Sequence, residues 1–336
     1  MMPVLTPEGR IRVAVRSGFT LIELLVVISV IALLISLLLP ALGHARTASR
    51  TAVCVASQRQ ASIGFATYGA EHQQWIAGPN TSGAHIRSGS DIGNSPSAPT
   101  QNVDWLSPIL AYSLNLPGKQ PGEENRIAER RLRMIFEQAF ACPANRETYA
   151  AQYGGGNTFD GIPVTQLRTN SYAANMGMHL SSSRNDPISD YSSRQDWGMP
   201  ILFSNYRPRL DYINRPDGKV CTMDGTRYVD GSTFEITFNA FPFQDEGGNF
   251  MNHGPAVGHS GDPATLGRRS GSFTEAQREA MRRFAYRHDT KMVVSYFDGH
   301  AGTMDEDESR SIHYWYPSGS RVTGGILDPT NPSVVK

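Results

Sequence analysis

The chain has 336 residues, with 31 Lys and Arg balanced by 31 Asp and Glu, so its formal net charge is zero. That balance argues against a nucleic-acid partner, and the length allows one membrane anchor plus one or two globular units. With 32 glycines, 21 prolines and 9% aromatic residues, the composition predicts a loop-rich domain with a true core rather than a disordered tail.

Residues 1–18 form a short basic leader carrying Arg10, Arg12 and Arg16. These favour a cytoplasmic N-terminus, although Arg46 and Arg50 on the far side reduce the asymmetry. From Phe19 to Leu39 every residue is apolar or small and hydroxylic except Glu23. At 1.5 Å per residue this run makes a helix of roughly 31 Å, about the thickness of a bilayer core. The chain is therefore expected to enter a membrane once, with one acid near the start of the span. A carboxylate in lipid is costly, so Glu23 is expected to have a function.

Three interpretations compete for this segment. A cleaved secretory signal would use the basic leader, the apolar run and the small residues around Gly43-His44-Ala45, but the run far exceeds the roughly 7–15 apolar residues of such signals. A plain anchor leaves Glu23 unexplained. The third is a prepilin signal: Gly18-Phe19-Thr20-Leu21-Ile22-Glu23-Leu24-Leu25-Val26-Val27-Ile28 resembles the type IV prepilin and type II secretion pseudopilin motif. The resemblance implies cleavage after Gly18 by a prepilin peptidase on the cytoplasmic side and methylation of the new N-terminal Phe19. It also implies retention of the apolar helix, with Pro40 where the family commonly has a helix-kinking proline. The new amine would stand one helical turn from Glu23, so the two charges can neutralise each other within or between subunits.

Beyond Pro40 the helix is expected to continue in water. Ala45, Ala48, Ala52, Val55, Ser62 or Ile63, and Ala66 recur at spacings of three and four and predict one apolar stripe, with Arg46, Arg50, Arg59 and Gln60 mainly elsewhere. Gly69 after Tyr68 reads as the helix-ending residue, giving a stem from Phe19 to Tyr68 of roughly 75 Å. Cys54 through Tyr68 is similar to a segment of secretion pseudopilin-like proteins that end in an H-x9-D-G signature. Those relatives usually carry Asn near Gln58 and Leu near Gln60.

Residues 78–101 are rich in Gly, Ser, Pro and Asn and read as a surface loop. Helices are expected over 104–116, with Trp105, Leu106, Ile109 and Leu110 inward, and over 123–141, ending at Cys142-Pro143. Short strands are expected over 164–172, 199–206, 219–223, 226–229 and 232–239. Asp217-Gly218, Asp224-Gly225 and Asp230-Gly231 would mark turns between them, without the ligand spacing of a calcium-binding EF-hand.

Residues 249–272 form a long loop holding His253, His259 and Asp262, and Thr274 with Gln277 reads as a capping box. A strand over 291–297, an Asp298-Gly299 turn that would place Phe297 opposite His300, and a strand over 300–304 make a hairpin. His288, Asp298 and Gly299 match the H-x9-D-G signature. Nine extended residues separate His288 from Asp298 by roughly 30 Å, so the two are expected to act structurally rather than at one reaction centre. His300 with His253 or His259 lacks the spacing of a zinc site.

Asp305-Glu306-Asp307-Glu308 is an acidic run whose ordinary role is a solvated face. Because major pseudopilins bind calcium through a C-terminal loop, the resemblance makes Asp305 and Asp307 calcium candidates; no other metal or cofactor is expected. His313-Tyr314-Trp315-Tyr316 either packs or stacks on sugars, with packing the favoured use. The resemblance also implies an oxidising compartment and singles out Cys54 and Cys142, both in family-like segments, as a disulfide pair with Cys221 left over. Closing so long a loop would stabilise the domain by roughly 4–5 kcal/mol in the chain-entropy model.

The expected fold is α+β and pilin-like: a long N-terminal transmembrane and stem helix packed on a mostly antiparallel sheet, with helical insertions and long loops. The expected organisation is a leader at 1–18, a membrane helix at 19–42, an amphipathic stem at 43–69 and an extracytoplasmic domain at 70–336. The expected function is that of a pseudopilin-like structural subunit of a type II secretion or type IV pilus-like assembly in the inner membrane. Its partners would be the peptidase and other pilin-type subunits. The alternative is a membrane-tethered domain that binds a ligand such as a polysaccharide. No G-x-S-x-G, H-E-x-x-H or P-loop pattern points to an enzyme.

Overall fold

The computed structural model describes residues 19–71, 73–77, 141–152, 156–159, 161–169, 171–175, 178, 206–225, 237–238, 250–251, 282–309, 311–320 and 334–336. The expected helices over 104–116 and most of 123–141, the strand over 226–229, the Asp230-Gly231 turn, the Thr274–Gln277 box and the loop histidines lie outside them. The chain divides into two units, Met1–Arg46 and Thr47–Lys336.

Helix α1 is continuous from Leu21 to Glu71. It starts where Thr20 and Glu23 form a capping box. The Thr20 amide and hydroxyl donate to Glu23 Oε2 at 2.8 and 2.9 Å, and the Glu23 amide donates to Thr20 Oγ1 at 3.2 Å. In the first unit the helix exposes its apolar side chains on all sides, and it is long and apolar enough to cross a membrane. Ser29 and Ser36 turn their hydroxyls back to the carbonyls of Val26 and Leu33, which pairs polar groups that lipid would leave unpaired. Pro40 sits inside the helix and withholds one amide donor from the ladder.

In the second unit α1 buries Cys54, Gln58, Ala61, Ser62, Phe65, Tyr68 and Gly69. This is not the expected stripe. Ala52, Ile63 and Ala66 are exposed, whereas Cys54 and Gln58 are almost fully inside. The buried face was chosen by bonding partners as well as by hydrophobicity: Gln58 Nε2 donates to the Val293 carbonyl at 2.9 Å, and Gln58 Oε1 accepts from Thr222 at 2.7 Å. Nor does Gly69 end the helix. It lies within it, where a Cβ would collide with the Leu210 side chain, so its role is close approach.

The main sheet has the order β7–β4–β5–β8–β9, built from Phe250–Met251, Tyr172–Asn175, Val220–Asp224, Met292–Tyr296 and Ala301–Met304. All its pairings are antiparallel except β4 with β7. Smaller ladders join β1 (Ala151–Gln152) to β6 (Thr237–Phe238) and β2 (Thr158–Phe159) to β3 (Ile162–Pro163). Strands β5 and β8 are buried along their full length, because both faces of the sheet are covered. One face packs Tyr172, Ala174, Cys221, Val293 and Phe297 with Cys54, Ala61, Phe65 and Tyr68 of α1. The other packs Ala173, Val220, Met223, Met292 and Val294 with Phe284, Trp315 and Tyr316. A register shift between Val220 and Thr222 breaks the alternation of β5. It turns Thr222 toward Gln58 on the helix side, although Val220 faces the other way.

Several sequence expectations are corrected here. Val164–Gln166 is a turn of 3-10 helix, and the strand expected over 164–172 begins only at Tyr172. Asp217-Gly218 lies in another such turn, whereas Asp224 is the buried last residue of β5 rather than a turn residue. The hairpin at Asp298-Gly299 has a three-residue loop. Tyr296, not Phe297, faces His300, with the Tyr296 amide donating to the His300 carbonyl at 2.9 Å and the two rings stacked. Gly299, at φ +95°, supplies the positive φ that such loops need. Trp315 and Tyr316 are fully buried, and Trp315 Nε1 donates to the Ser309 carbonyl. Those two aromatics pack. The architecture is α+β, with a long N-terminal helix and a mostly antiparallel sheet.

Candidate functional site

Two regions carry the chemistry. The first is the start of α1. Gly18 lies outside the described residues, Phe19 is exposed, and Glu23 closes the capping box over the first turn. The carboxylate therefore sits beside the chain end that cleavage after Gly18 would create.

The second is a buried polar cluster where four segments meet. Thr51, Cys54 and Gln58 project from one face of α1 at spacings of three and four. Cys142 comes from a turn closed by the Asn145 amide on the Cys142 carbonyl. Asp224 ends β5. His288 stands at the base of a two-residue turn into β8, paired reciprocally with Lys291. Both central residues of that turn, Asp289 and Thr290, have positive φ (55° and 64°), as a type I′ turn requires.

His288 Nε2 lies 3.2 Å from Cys142 Sγ and 3.2 Å from Asp224 Oδ2. Its Nδ1 is 3.1 Å from Thr51 Oγ1, whose own hydrogen goes to the Thr47 carbonyl. Thr51 must therefore accept, which places a hydrogen on Nδ1. Asp224 Oδ2 also accepts the Val293 amide at 2.8 Å, and Asp224 Oδ1 faces Gln58 at 3.5 Å and the buried Arg287 guanidinium at 3.9 Å. Cys54 Sγ, Cys142 Sγ and a His288 nitrogen lie within 4.8 Å of one another, and all three cysteines are free thiols.

The electrostatics separate the two thiols. Contact with Cys54 holds the Cys142 thiol below its ordinary value against the effect of burial, with His288 helping. The same Cys54–Cys142 contact, with burial, pushes Cys54 well up. Burial opposes charge on His288, but hydrogen bonds with Asp224 and Cys142 outweigh it and raise its pKa to about 9.

Not all the sequence candidates meet here. Cys54 and Cys142, expected as a disulfide, lie near each other as free thiols, and Cys221 is buried elsewhere on β5. His288 joins them, but Asp298 instead bonds the amide and Nδ1 of His300. Asp224, expected as a turn residue, and Thr51 join the site without having stood out in the sequence. The available signal was the Thr51-x2-Cys54-x3-Gln58 spacing. Asp305 accepts the Glu308 amide at the start of α2 (Glu306–Ser309), Glu306 pairs with Arg282 at 2.8 Å, and Tyr314 donates to Glu308.

The prokaryotic N-terminal methylation motif matches residues 14–39. No curated protein and no solved structure matches the chain. The match covers the leader end, Gly18, Phe19, Glu23 and the apolar run. It fits a type IV pilin or pseudopilin that a prepilin peptidase processes, and it favours a structural subunit over an enzyme.

Proposed function

We propose that the protein is a pseudopilin-like structural subunit. It waits in the inner membrane on its N-terminal apolar helix, N-terminus in the cytoplasm, and is drawn from there into a type II secretion or type IV pilus-like assembly. The observation that carries this is the methylation motif at residues 14–39 on a helix that runs on to Glu71. Processing would leave N-methyl-Phe19 as the first residue, and the role would be assembly rather than catalysis. The tethered ligand-binding alternative drew on the C-terminal aromatics, and of these Trp315 and Tyr316 belong to the core.

The capping box gives Glu23 a local task that a simple Ala substitution would remove together with its charge. Glu23→Gln separates the two, because Gln also completes a capping box while carrying no charge. If Glu23 neutralises a terminal amine during assembly, Glu23→Gln remains cleaved and inserted but loses crosslinks between stems relative to its membrane abundance. Wild-type crosslinking by Glu23→Gln, with a defect only in Glu23→Ala, would reduce the acid to a helix cap.

A further inference from the structure

We propose that Cys54, Cys142, His288 and Asp224 form a structural zinc site that fastens the stem helix to the sheet. Two thiolates, an imidazole and a carboxylate are a donor set suited to tetrahedral Zn²⁺. With usual bond lengths, the edges of such a tetrahedron are about 3.8 Å between sulfurs, about 3.5 Å from sulfur to nitrogen and about 3.3 Å from nitrogen to oxygen. The separations of 3.2 Å from His288 Nε2 to both Cys142 Sγ and Asp224 Oδ2 lie close to these edges. The two sulfurs and a His288 nitrogen lie within 4.8 Å of one another, and Asp224, outside that group of three, meets it at Nε2 and would close in as the fourth ligand.

Three further observations support a metal at this point. With Thr51 accepting from Nδ1, a metal would take the place of the Nε2 hydrogen, and Thr51 is the outer partner that orients the ring. Without a metal, one Nε2 corner faces two acceptor-type atoms at equal distance, an arrangement that a single N–H serves poorly. The buried Tyr172 hydroxyl has no well-formed hydrogen bond and lies against Cys54, where a metal-bound thiolate would accept from it. The charges also close. Zn²⁺ and the buried Arg287 guanidinium together balance two thiolates and one carboxylate in a site whose ligand residues are at most 3% exposed.

The four ligands come from α1, the turn after residue 141, the end of β5 and the turn before β8. One ion would thus hold together segments far apart in sequence. The His288 of the C-terminal signature gains a role distinct from that of Asp298, which works inside its own hairpin.

The test uses the full chain, purified in detergent under reducing, metal-free conditions. Adding Zn²⁺ and dialysing against metal-free buffer should leave one zinc per chain, and Co²⁺ in its place should give the intense charge-transfer absorption of thiolate ligation. Cys142→Ser and His288→Gln should lose the bound metal, Cys221→Ser should keep it, and Thr51→Val should bind about tenfold more weakly. The wild-type cobalt spectrum stands on its own if a ligand variant fails to fold. Free thiols that retain no zinc would overturn the proposal. So would a chain from membranes that is zinc-free and carries a Cys54–Cys142 disulfide.

Discussion

Gln58 shows how firmly the stem is tied to its sheet. Its side chain is 1% exposed and lies between α1 and two adjacent strands, donating to the Val293 carbonyl of β8 at 2.9 Å and accepting from Thr222 of β5 at 2.7 Å. The approach of 3.5 Å to Asp224 Oδ1 is at the limit of hydrogen bonding and contributes little. Gln58→Leu keeps the volume and removes both good bonds. The Val293 carbonyl loses its side-chain donor, while Thr222 keeps Ser295 at 2.6 Å. At roughly 1 kcal/mol for each of two buried bonds, the variant should be about 2 kcal/mol less stable, and Gln58→Ala should lose more because a cavity is added. Urea titrations of the full chain in detergent, followed by tryptophan fluorescence, to which buried Trp315 contributes, measure the difference. Metal content must be held constant, because bound metal shifts apparent stability. Stability of Gln58→Leu within about 0.5 kcal/mol of wild type would mean that the two Gln58 bonds add nothing net to holding the stem.

Two further outcomes follow from the same region and from the C-terminus. Thr290 is a β-branched residue at φ 64°, so Thr290→Gly should raise stability in the same titration by about 1 kcal/mol, the relieved strain exceeding the added chain entropy. Lys219 donates to the carbonyls of His313 and Lys336, and burial, with Arg215 nearby, lowers its pKa to about 8. Between that value and the ordinary lysine value of about 10.5 the unfolded chain binds the extra proton, so Lys219 adds stability as pH rises through this window and nothing further below it. The stability difference between wild type and Lys219→Met should therefore move in favour of wild type from pH 8 to pH 10. A difference that is flat over that range would mean the amine is not depressed.

The first half of α1 was legible because its signal is local, an unbroken apolar run; the Thr20–Glu23 cap, three residues apart, went unread. The buried face of the second half was not. Hydrophobicity favours Ala52 and Ala66, whereas the fold buries Gln58 and Cys54, whose partners Val293, Thr222 and His288 are far away in sequence. The cluster was half visible. Cys54 and Cys142 stood out by type. Asp224 was hidden by the glycine after it, which imitates a turn, and by the register shift in β5, which no two-residue alternation reveals. The turn at His288 went unread because Asp289-Thr290 lacks the glycine that usually marks its type, and the loop before His300 was one residue longer than its Asp-Gly pair suggested.

The mature N-terminus tests the central claim most directly. Mass spectrometry of the protein isolated from membranes should find a chain beginning at Phe19 with one methyl group on its amine, and Gly18→Leu should leave the precursor uncut. A chain that starts at Met1, or one that begins after Ala45 with the apolar helix removed, would contradict the proposed processing and, with it, the proposed assembly.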